Sequence, residues 1–299
     1  MTFRTITDRL RFPEGPISLP DGEWVCVEIA GKALTRIHHD GSVTVIAELE
    51  GGPNGAALGP DGWVYICNSG GWLYERRGEL TWSVGQSERN GWIERVHLHT
   101  GEQQTLYTAC GAIPLRSPND IVFDDHGGFY FTDLGKRGGR NIDWCGVFYA
   151  AADGSAIREV VHPMITPNGC GLSPDGSELY VAETLTGRLW AFEVSAPGAL
   201  VPGTGPAPHK GRLVAGVSGY RLFDSMAVHR NGLVCVATLF ESGITVCHPT
   251  EGEVGFLPMP DTYTTNVCFD AQGRDLAYVT LSSTGRLVEI RASDLVGQP

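Results

Sequence analysis

Six residues bearing side-chain oxygens recur at one position of a repeated pattern: Glu14, Asn54, Asn119, Asn168, Asp224 and Asn266. Each leads a short apolar run, a tight turn that usually contains Asp-Gly or Asn-Gly, and a second β-rich run. Typical copies are Asn54-GAALGPDGWVYICN, Asn119-DIVFDDHGGFYFTD and Asn168-GCGLSPDGSELYVAE. The turn glycine lies eight residues after the leading residue in the first five copies and seven after it in the sixth. Two carboxylates and four amide carbonyls, with no Lys, Arg or His, make a hard-oxygen set suited to Ca²⁺ and usable by Mg²⁺ or Mn²⁺. Taken singly, an Asn or Asp before Gly is more often a turn former that bonds its own backbone. Recurrence in every copy, with Ser, Thr and Gly absent, favours a functional ring.

These residues converge only if the repeats are arranged around an axis. Each copy reads as a hairpin, with alternating apolar residues in the strands and glycine at the turn. A third strand follows, often opened by glycine, as in Gly71-WLYERRGE, Gly146-VFYAAADG and Gly187-RLWAFEV. Several copies lead on to a fourth, such as Ser42-VTVIAEL. Four antiparallel strands repeated six times predict an all-β, six-bladed β-propeller. Its inner strands bring the six leading residues to one mouth of the channel. The second strands end at Glu28, Asn68, Asp133, Glu183, Thr238 and Thr280. These are expected to orient the leading amides or to touch a ligand, with Thr238 and Thr280 read as strand caps. The segments from about Thr81 to Ile93 and from Ser195 to Lys210 read as inserted loops. Strand Arg4-TITDRL is expected to complete the last blade and leave no open sheet edge. Residues 1–299 are read as a single domain.

Composition bounds the partners. A net charge of −12 argues against nucleic acid and anionic membranes. No run is long enough to span a bilayer and the N-terminus lacks the apolar core of a signal peptide, so a cytoplasmic location is expected. The eight cysteines contain no CxxC pair and read as small buried hydrophobes. No GxSxG, GxGxxG or P-loop motif occurs, which argues against a serine hydrolase of that type and against nucleotide cofactors. Homo-oligomerisation is left open.

The motifs Phe12-PEGP, Ser117-PNDIVFDDHGGFYFTD, Thr166-PNGCGLSPDGSELYVAE, Phe223-DSMAV and Thr265-NVCFD resemble the senescence-marker protein (regucalcin), gluconolactonase and luciferin-regenerating-enzyme family. That resemblance implies a six-bladed propeller with one divalent metal in the channel and hydrolysis of a small lactone. By matching motifs it implies Glu14, Asn168 and Asp224 as metal ligands and Asn119 as a fourth ligand or water-mediated neighbour. Ca²⁺ is the first choice, with Mg²⁺, Mn²⁺, Zn²⁺ or Fe²⁺ as alternatives. Asp224 is the expected catalytic base or nucleophile. Asn119, Asn54, Asn266, Asp133 and Tyr220 are expected to touch substrate. Sugar-acid lactonases of the family carry an Arg two residues before the Asn of the PND motif. Here that position is Ser117, and Arg116 lies one residue further away. Together with Phe12, Trp144, Tyr220, Phe223 and Tyr263 near the expected mouth, this points to a smaller or less polar lactone. Two other readings stay open: a phosphotriesterase-type hydrolase on the same site, and a non-catalytic propeller that binds calcium or docks a protein.

Overall fold

The computed structural model describes residues 3–297. Its strands form six antiparallel blades, five of four strands and the fourth of five, each running outward from an inner strand. The inner strands are Pro13–Ser18, Pro53–Leu58, Pro118–Phe123, Pro167–Leu172, Leu222–Val228 and Thr264–Phe269. Neighbouring inner strands contact one another around a complete ring. Strand Arg4–Thr7 pairs antiparallel with Arg286–Ile290, so the N-terminus supplies the outer strand of the sixth blade, as expected. Side chains that alternate along the strands pack between blades, as in the cluster of Val25, Leu34, Val64 and Val96 between the first and second. No helix among the described residues is long and apolar enough to cross a membrane.

One strand assignment is corrected. The third strand of the second blade is Trp92–His97, which pairs with Trp63–Asn68 from Asn68 to Trp63. The segment expected to fill that place, Trp72–Arg77, pairs with Leu80–Gln86 in a separate two-stranded hairpin. The insertion therefore begins directly after Asn68. Both segments mix apolar and polar residues without strict alternation, so periodicity alone could not choose between them. Trp92, Ile93 and Val96 are buried, whereas Leu73 on the hairpin is 55% exposed.

Every inner strand carries one extra residue relative to its partner, and the irregularity falls at or next to the leading position. In the second blade Pro53 pairs with Asn68 and Ala56 with Ile66, so Asn54 and Gly55 oppose Cys67 alone. The same two-against-one count follows Glu14, Pro118, Pro167 and Phe223. Such a bulge re-aims a side chain that regular pleating would send to the sheet face. In the sixth blade the irregularity lies between Thr264 and Asn266, so Thr265 is the residue it displaces.

Candidate functional site

The bulges bring Glu14, Asn54, Asn119, Asn168, Asp224 and Thr265 into the wall of one cavity of about 420 Å³. Five of these are the predicted leading residues. The sixth is Thr265, not Asn266. A shift of one residue turns a strand side chain to the opposite direction, and Asn266 instead donates from Nδ2 to Glu14 Oε2 at 2.7 Å. The seven-residue spacing to Gly273 carried this signal, because counting eight back from that glycine gives Thr265.

Four side chains in this ring fit a hard cation. Glu14 and Asp224 are buried. Burial and the facing charge of Asp224 push the Glu14 carboxyl well above the usual range. Burial pushes Asp224 up to about 7, against a hydrogen bond from Asn168 Nδ2 to its Oδ1 at 2.6 Å. Asn168 Nδ2 also donates to Thr184 Oγ1 at 3.0 Å, which fixes the amide with its oxygen elsewhere. The Oδ1 atoms of Asn119 and Asn168 are buried and accept no hydrogen bond. An unpaired buried carbonyl is costly, and a divalent cation satisfies such oxygens while neutralising two carboxylates. The acids number two, so this is no cluster of three His, Cys, Asp or Glu, and none of that kind occurs among the described residues.

Asp120, just beyond Asn119, was not foreseen. It is buried and accepts from Ile121 N at 3.0 Å and from Cys170 N in the next blade at 3.1 Å. Burial pushes its carboxyl up to about 7. Its signal was the Asp in Pro-Asn-Asp, where the second and fourth copies have Gly.

Asp133 lies outside the cavity wall. Its carboxylate accepts from Arg116 N at 2.6 Å, Ser117 N at 2.7 Å and Gly135 N at 3.0 Å. Glu28, Asn68 and Glu183 likewise accept backbone N–H groups from Arg11, Gly52 and Ile165 at 2.7–2.9 Å. These second-strand ends grip the segment that delivers the leading residue. Arg116 turns away to Asp143 at 2.9 Å. Tyr220 stands at the rim, 68% exposed, with its ring 5.4 Å from that of Phe240. Phe12 and Tyr263 line the wall, whereas Phe223 is fully buried in the core and Trp144 lies outside the cavity.

Fold and site together define a six-bladed propeller with an oxygen-lined pocket at one mouth. The chain belongs to the SMP-30/Gluconolactonase/LRE-like family, whose model matches residues 12–283. Lactonase drp35 of Staphylococcus haemolyticus is 24% identical over 249 residues, covering 83% of this chain and 69% of its own length. Matches to two further staphylococcal drp35 lactonases span 42% and 52% of those proteins. Among solved structures, the gluconolactonase XC5397 of Xanthomonas campestris superposes with a TM-score of 0.74 at 23% identity, covering 96% of this chain and 88% of that one. The calcium-binding protein regucalcin of Agrobacterium tumefaciens superposes with a TM-score of 0.74 at 17% identity, covering 97% and 93%. Likeness at these identities shows the shared propeller.

Proposed function

We propose that this protein is a metal-dependent lactonase that opens a small lactone to its hydroxy acid. The observation that carries the reading is the pair of unpartnered buried oxygens of Asn119 and Asn168 beside the carboxylates of Glu14 and Asp224. The family match and the relatives named lactonase and gluconolactonase support the reaction class. Glu14, Asn119, Asn168 and Asp224 would hold the ion, with Ca²⁺ the first candidate for an all-oxygen set. Bound there, a divalent cation supplies Lewis-acid polarisation of the lactone carbonyl.

The chain's own residues perform the rest. Asn168, pinned by Thr184, orients Asp224 through their shared hydrogen bond. Asp224 takes a proton from water as the oxygen adds to the carbonyl carbon. The ring C–O bond then breaks, and the departing alkoxide receives that proton back. Direct attack by Asp224 is the alternative course at the same residue. Asn54, in the ring beside the four ion-holding residues and without a side-chain partner from the protein among the described residues, is placed to bind substrate.

The test is hydrolysis of γ-, δ- and aldonolactones by chelator-stripped protein, with Ca²⁺, Mg²⁺, Mn²⁺, Zn²⁺ or Fe²⁺ restored and proton release followed. Turnover lost on stripping and regained with one metal is expected. Metal binding with no turnover of any lactone would defeat the assignment.

A further inference from the structure

Part of the cavity wall beside the oxygen ring is built by the hairpin that interrupts the second blade. Trp72 and Tyr74 of this hairpin meet Phe12 of the first blade and Tyr263 of the sixth. The Phe12 ring lies 4.8 Å from Tyr74 and 5.3 Å from Tyr263. Phe12 holds this place at φ 58°, a left-handed conformation unusual for a bulky residue. Strain of that kind is retained where surrounding contacts fix the side chain. The hairpin is tied down on both sides. Thr81 N donates to Ser283 O at 2.9 Å, and Gln86 Nε2 donates to Gly135 O at 3.0 Å.

Several polar atoms lining the cavity are engaged within the protein. Gln86 Oε1 accepts from Arg137 N at 3.0 Å, Thr166 Oγ1 accepts from Leu185 N at 3.0 Å, and Thr265 Oγ1 pairs with Thr280 Oγ1 at 2.9 Å. Trp72 Nε1 is a buried donor without a partner. Arg137, the one Lys or Arg of the wall among the described residues, is exposed. Phe12, Ile29, Trp72, Leu222, Leu239 and Phe240 make much of the wall apolar, so a polyhydroxylated ring would set hydroxyls against apolar groups, at a cost for each one left unpaired. An alkyl or aryl group would meet aromatic faces.

We propose that the hairpin Trp72–Gln86 sets the substrate class of this site as lactones carrying an apolar substituent, with Trp72 the residue that reads it. This rests on the lactonase reading above. The test measures kcat/KM with γ-nonalactone, γ-butyrolactone and glucono-δ-lactone for the wild type, Trp72→Ala and Trp72→Phe, each checked for an unchanged melting transition. The wild type is expected to prefer γ-nonalactone to glucono-δ-lactone by at least ~10-fold. Trp72→Ala should reduce the γ-nonalactone to γ-butyrolactone ratio by about 10-fold, chiefly through KM, as loss of uniform binding does. Trp72→Phe should keep most of that ratio. Glucono-δ-lactone turned over as well as γ-nonalactone, or a ratio unmoved in Trp72→Ala, would overturn the assignment of class while leaving the lactonase reading intact. No turnover of any lactone with any metal would remove both.

Discussion

At the residue scale, the Asn-Gly pairs that resemble turns serve close packing between blades. A Cβ on Gly55 would lie 2.3 Å from the carbonyl oxygen of Asn119, and one on Gly169 would lie 2.7 Å from that of Asp224. The glycine lets the next inner strand approach, and the approach holds the neighbouring ligand-bearing backbone in place. Asp224 shows the opposing demands on such a ring. Its carboxyl is pushed up to about 7 by burial, so its ionised form weakens the metal-free fold at neutral pH. Asp224→Asn keeps the shape and removes that charge. It should lower kcat/KM for any lactone by at least ~100-fold. The melting temperature in chelator should be unchanged or raised, the usual exchange between activity and stability. Wild-type turnover in this variant, measured beside its melting curve, would remove Asp224 from the mechanism.

At the scale of the element, a hairpin repeat was legible because its signals are local: alternation, a turn glycine and a polar leader. Two features were hidden because they depend on pairing. The bulge that aims each leading residue is a register event, so a one-residue difference in the sixth copy moved Asn266 away and brought Thr265 in. The second blade offered two strand-like segments for one place, and burial between blades chose Trp92–His97. The second-strand ends were expected to orient the leading amides or touch a ligand, yet an oxygen at a strand end serves backbone donors equally well. Asp133 serves three. Asp133→Ala should therefore destabilise the protein by at least about 2 kcal/mol, because buried N–H groups lose their acceptor. Asp133→Asn, which retains a carbonyl, should lose less. Urea unfolding measures both, and equal stability of the Ala variant and wild type would refute the gripping role.

For the whole molecule, closure and site are one problem, because the seam between the last blade and the first carries Glu14. Across it Asn266 Nδ2 donates to Glu14 Oε2 at 2.7 Å, and Thr265 Oγ1 donates to the carbonyl of Pro13 at 3.4 Å. The N-terminal strand secures the outside of the same seam. Ile6 is buried with Leu10, Trp24, Ile37, Tyr278 and Leu287, and Thr7 Oγ1 donates to Gly41 O at 2.9 Å. Arg4 adds an exposed pair with Glu289 that contributes little. Ile6→Ala should cost about 2–4 kcal/mol through the cavity it leaves. Ile244→Ala, equally apolar and buried in the cluster that joins the fifth and sixth blades, should cost a similar amount. The two variants separate closure from general stability. If the seam holds Glu14 in place, Ile6→Ala weakens Ca²⁺ binding, measured by calorimetry well below the unfolding transition, while Ile244→Ala leaves it near the wild-type value. Equal affinities in the two variants would mean that Glu14 is held by its own blade and that the terminal strand acts on stability alone.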